Sequence, residues 1–127
     1  MRALTTIVDA RLFRKDTYMY ILSAKLTFNI NHAQSLKEKR SVVKSLVDKT
    51  RHRYNLAIGE VDTQDQHQTL TLGIALVSQQ YTSGQNRLER IIEYMQQEVN
   101  GELMVVIYNE TNINDQDYDV IDGFDAS

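Results

Sequence analysis

An α+β domain with the element order β-α-β-β-α-β is predicted by three observations. Residues 20–30 alternate apolar and polar side chains, as a strand with one buried face does. Two later stretches, near 36–53 and 80–98, repeat apolar residues at steps of three and four, the period of an amphipathic helix. Between and after them lie short alternating or β-branched runs without proline.

The first strand is YILSAKLTFNI, with Leu22, Ala24, Leu26 and Phe28 on one face and Ile21, Ser23, Lys25, Thr27 and Asn29 on the other. Ser35-Leu36-Lys37-Glu38 then has the spacing of a capping box, in which the Ser35 hydroxyl accepts the Glu38 amide proton and the Glu38 carboxylate returns to the Ser35 amide. A helix is predicted from there to about Arg53, with Leu36, Val43, Leu46, Val47, Thr50 and Tyr54 on its core stripe.

LAIGEVD and TLTLGIALVS follow as two strands joined by the polar stretch TQDQHQ. In the second of them Leu70, Leu72, Ile74 and Leu76 face the core, and Thr69, Thr71, Gly73, Ala75 and Val77 face outward. Tyr81, Leu88, Ile91, Ile92, Met95 and Val99 mark the second helix, in which Gly84 costs about 1 kcal/mol relative to alanine. Gly101 ends it, and LMVVIY over 103–108 reads as the last strand.

This order is the split βαβ, or ferredoxin-like, arrangement, with both helices on one face of a four-stranded antiparallel sheet. The domain is expected over 18–109, preceded by an appendage at 1–17 that is poorly ordered or briefly helical. After Asn109 the chain is acidic and lacks apolar periodicity, so 110–127 is expected to be a solvated tail.

Composition narrows the function. The 127 residues suit one domain, and 42% hydrophobic with 24% charged residues is an ordinary globular balance. The absence of cysteine removes disulfides, thiol nucleophiles and thiolate metal sites. No run has the length of a signal peptide's apolar region or of a membrane span, so a cytoplasmic protein with no membrane partner is expected. The net charge of −3 is unevenly placed: residues 1–109 carry 14 basic and 11 acidic side chains, and the remaining acids lie in the tail.

No GxSxG, P-loop or GxGxxG is present, and His32, His52 and His67 are scattered. An enzyme is therefore not expected, nor a cofactor or small-molecule substrate. The segment Glu60-Val61-Asp62-Thr63-Gln64-Asp65-Gln66-His67 gathers acids and a histidine but fits no metal template, so it reads as a solvated loop and no metal ligand is assigned.

The first helix carries the most informative pattern. Lys37, Lys39, Arg40, Lys44, Lys49, Arg51 and Arg53 stand against only Glu38 and Asp48. At 100° per residue, Lys37, Arg40, Lys44 and Arg51 fall within a sector of about 60° beside the apolar stripe. Such a ridge can track phosphates, since each neutralised phosphate releases condensed counterions and the gain accumulates with their number. The same charges also suit a solvated helix face whose arginine stems cover the edge of the core. Lys39, close to the apolar stripe but in the first turn, is expected to snorkel past the helix end. The outward positions of the two longest predicted strands lack the aromatics on which RNA-recognition sheets stack bases, so any RNA contact is expected at the helix.

The run Gln34-Ser35-Leu36-Lys37-Glu38-Lys39-Arg40, followed by Val42, Val43 and Leu46, resembles the signature helix of the bacterial DUF503 (YlxP-like) family. The resemblance continues through Arg51, Arg53, Tyr54, Asn55, Glu60, Val61, Gln68, Leu72, Gly73, Val77 and Ser78, from about 20 to 108. Asn31-His32 stands where members commonly have Pro-Gly, and His67 where tryptophan often precedes the glutamine. The resemblance implies a ferredoxin-like bacterial protein of unknown function whose genes commonly neighbour those of translation and ribosome maturation. Two functions are consistent with these readings. One is a non-enzymatic accessory protein that binds ribosomal RNA or a ribosomal subunit through Lys37, Arg40, Lys44 and Arg51, assisted by Lys49 and Arg53. The other is a protein-interaction or self-associating module, including a homodimer, that uses the uncovered sheet face or a sheet edge.

Overall fold

A computed structural model describes residues 18–113. Six elements follow in the predicted order: β1 (Met19–Asn29), α1 (Leu36–Arg53), β2 (Ala57–Asp62), β3 (Thr69–Ser78), α2 (Tyr81–Glu98) and β4 (Glu102–Ile113). The sheet runs β2-β3-β1-β4, and each neighbouring pair is antiparallel. This is the ferredoxin-like α+β fold. No helix among the described residues is long and apolar enough to cross a membrane.

The core lies between the sheet and the two helices. Leu22, Ala24, Leu26 and Phe28 of β1 and Leu70, Leu72, Ile74 and Leu76 of β3 are buried, as their alternation predicts. Leu46 and Thr50 of α1 and Leu88, Ile91, Ile92 and Met95 of α2 close on them from above. Tyr54, at the end of α1, meets Tyr94 of α2 edge-to-face at 5.6 Å and ties the two helices together.

Ser35 caps α1 as expected, its hydroxyl accepting the Glu38 amide proton at 3.1 Å. The reciprocal half of the box is displaced by one residue, because the Glu38 carboxylate accepts from the Gln34 amide at 3.2 Å. Gly84, read from sequence only as a helix weakness, has a packing reason. A Cβ there would collide with Leu22 and stand 2.7 Å from the Ser78 Cβ, so glycine lets α2 settle onto β1 and β3.

Two strand readings change in three dimensions. β4 continues through Glu110–Ile113, pairing with Met19–Leu22, so backbone pairing extends the sheet four residues past the expected boundary. Thr71, expected to face outward, does so but is buried beneath Thr27 and Thr63, whose hydroxyls lie 3.4 and 3.2 Å from its own. The expected appendage at 1–17 and the rest of the acidic tail lie outside the described residues.

Candidate functional site

α1 lies over the β2 side of the sheet with α2 beside it, and its basic residues divide between two flanks. On the β2 side, Arg51 donates from Nη2 to the Ile58 carbonyl at 3.1 Å. Lys37 and Arg40 are exposed and have no carboxylate partner among the described residues. Lys44 is exposed on this flank too, with the Asp48 carboxylate one turn away at 2.7 Å. The ridge from Lys37 to Arg51 extends for about 21 Å at 1.5 Å per residue.

The other two predicted residues face α2. Lys49 reaches Glu98 at 3.5 Å, and the Arg53 guanidinium lies 5.0 Å from the Tyr94 ring centroid and 5.8 Å from that of Tyr54. They are thus separated from the ridge they were expected to assist, because positions 49 and 53 lie across the apolar stripe from 37, 40, 44 and 51. Of the ridge residues, Lys37, Arg40 and Arg51 have no acidic partner among the described residues, although Arg51 is tethered to β2.

Lys39 departs most from its expected place. Its side chain is buried, lies 2.9 Å from a Glu60 carboxylate oxygen and donates to the Thr63 carbonyl. Glu60 sits on the helix-facing side of β2, where Lys39 approaches from the first turn of α1, so the ammonium turns inward to a partner instead of outward to water. The Glu60 oxygen makes no aligned hydrogen bond, which leaves the contact one of charge. The same lysine holds the residue that leads out of β2: Thr63 has φ of 58°, a left-handed conformation that its carbonyl contact with Lys39 helps to retain.

The acids of the 60–67 segment do not converge. Glu60 turns to Lys39 beneath the helix, whereas Asp62, beyond a bulge in the β2–β3 register, meets Lys25 at 3.1 Å on the opposite face. No group of three or more His, Asp or Glu placed for a metal occurs among the described residues. The outward face of β1 and β3 presents Ile21, Ser23, Lys25, Thr27, Gly73, Ala75 and Val77, without an aromatic ring.

The ridge, the buried lysine and the bare sheet face all fall within a stretch that is similar to known proteins. A family model described as a protein of unknown function, DUF503, matches residues 21–107, which take in most of the sheet, both helices and the Lys39–Glu60 contact. The chain belongs to the DUF503 family. The uncharacterized protein YlxP of Bacillus subtilis (strain 168) is 35% identical over 66 residues, covering 52% of this chain and 72% of that protein. A de novo designed protein, Foldit4, superposes with a TM-score of 0.45 at 10% identity, covering 73% of this chain and 96% of the design. The DUF503 match ends at Ile107, inside β4, so the last part of that strand lies beyond the matched residues.

Proposed function

We propose that this protein is a cytoplasmic, non-enzymatic accessory factor that docks on ribosomal RNA or a ribosomal particle through the β2-side flank of α1. The observation that carries this reading is the pair Lys37 and Arg40, exposed on one edge in line with Lys44 and Arg51, with no carboxylate partner among the described residues. A line of exposed cations on a rigid helix suits a phosphate backbone and reads no bases, so binding is electrostatic and indifferent to sequence. The sheet face favours no other RNA mode, since it offers no stacking platform. The ribosomal direction comes from the gene neighbourhood that the family resemblance implies, which is an association with translation and not a mechanism.

The test is sedimentation of the full chain with ribosomal particles across a salt series, comparing wild type with Lys37→Glu, Arg40→Glu. These two are the informative positions, because Lys44 is already offset by Asp48 and Arg51 also holds the Ile58 carbonyl. Salt-sensitive co-migration with one subunit, abolished in the variant, is the expected result. Migration as a small free species at every salt concentration, or unchanged binding by the variant, overturns the reading.

A further inference from the structure

Among the described residues, six of the nine exposed large apolar side chains lie on the sheet face away from the helices: Met19, Val61, Val77, Val105, Ile107 and Ile113. Solvated faces of antiparallel sheets ordinarily carry polar residues, as Ser23, Thr27, Asn109 and Thr111 do here, and exposed apolar side chains gathered among them mark a contact surface. Among the described residues, Glu102 lies at one end of this face and Arg87 reaches its margin at the Val77 carbonyl, while the central charges, Lys25 and Asp62, neutralise each other at 3.1 Å.

Gly59 supplies the second observation. Glycine within a strand is unfavourable unless something approaches closely. Gly84 and Gly101 have such neighbours within the chain, and at Gly73 a Cβ would stand 3.0 Å from Val61. Around a Cβ placed on Gly59 there is nothing within 4 Å, and its φ is not positive, so nothing in the described chain calls for glycine there. Gly59 and Gly73 pair directly and, with Ala57 and Ala75, floor a shallow groove of about 580 Å³ between Val61 and Ile107.

We propose that this face is a two-fold interface between two copies of the chain. Gly59, Gly73, Lys25 and Ile107 form one rung across the sheet, in the order β2, β3, β1, β4. A two-fold axis lying between the faces and along the strands preserves position along each strand and reverses the strand order. It therefore sets Ile107 of one copy above Gly59 of the other, at both ends of the rung, so the ridge fills the partner's hollow twice. A surface that is raised on one side and hollow on the other at the same level is complementary to itself, as an isologous contact requires. The size fits as well: four strands of 6 to 12 residues cover about 600 Å² in plan, and a corrugated surface of that extent approaches the roughly 800 Å² that each partner buries in a stable complex. The neutral Lys25–Asp62 pair brings no net charge into the contact.

Sedimentation equilibrium of the full chain over a concentration series tests this, with Gly59→Arg and Ile107→Lys as separate variants and far-UV circular dichroism as the check on folding. A side chain at Gly59 would enter open space and Ile107 is exposed, so both variants should fold. The wild type should have twice the 14.7 kDa chain mass, and each variant should dimerise about tenfold more weakly or not at all. A wild type that stays at the single-chain mass throughout overturns the proposal. So does a dimer that Gly59→Arg leaves unchanged, which would place the contact elsewhere, such as the free edge of β4.

Discussion

Lys39 and Glu60 are worth most as a pair. Replacing Glu60 by alanine leaves a buried ammonium with only the Thr63 carbonyl, and the loss should be about 2–4 kcal/mol, since Glu60 is itself mostly buried. Adding Lys39→Met should return most of that loss, because methionine fills similar volume without a charge to desolvate. Urea denaturation of the two single variants and the double one measures both the cost and the coupling; an additive cycle would mean that the two groups do not interact. The glycines give an opposed pair of outcomes. Gly84→Ala should lose about 1–3 kcal/mol despite alanine's better helix propensity, because its Cβ meets Leu22 and Ser78. Gly59→Ala should leave stability unchanged or slightly raised, because its Cβ enters open space.

At the scale of elements, β4 is the strand least covered by the helices. Leu103 and Val106 are half-buried on its core side, but Tyr108, which pairs with Ala24, remains exposed, as does Met104 at the bulge between Thr27 and Phe28. Its far end pairs with Met19–Leu22 through the backbone, and the side chains of 110–113 are exposed. Ending the chain after Asn109 should therefore lower the thermal midpoint while keeping the fold, and amide exchange at 19–22 should accelerate more than at 24–28; equal protection in both chains would show that the extension contributes nothing. α1 differs in kind. Its N-terminus is capped by Ser35, Leu46 and Thr50 are buried in the core, and the inward Lys39 ties it to Glu60 of β2, so charge changes at Lys37 and Arg40 on its outer flank should leave it folded.

For the whole molecule, the two surfaces lie on opposite sides, with the cationic flank among the helices and the apolar face behind the sheet. A face-to-face dimer would leave both α1 ridges on its outside, giving two phosphate-binding edges per particle and a gain in avidity wherever an RNA surface spans them. Binding to a single-stranded polyanion such as poly(U) should then weaken linearly on a double logarithmic plot against salt. Lys37→Glu, Arg40→Glu should reduce the magnitude of that slope by about 1.4 per chain, from roughly 0.7 for each phosphate that is no longer neutralised. A slope unaltered by the double change would remove these residues from any role in binding.

Much of this architecture was legible before any coordinates. The order of elements, the α1 cap and the buried alternation of β1 and β3 follow from local periodicity, which depends only on where each side chain points from its own backbone. The basic sector of α1 was legible for the same reason, since residues 37, 40, 44 and 51 share a flank in any regular helix. What periodicity cannot supply is the partner across a gap. That Lys39 turns inward to Glu60, that Lys49 and Arg53 serve α2, that Gly84 admits Leu22, and that β4 outruns the apolar run LMVVIY are all decided by contacts between segments distant in sequence. Gly59 belongs with these: the sequence places a glycine in a strand, but only the register brings it onto one rung with Ile107 and shows the space above it empty.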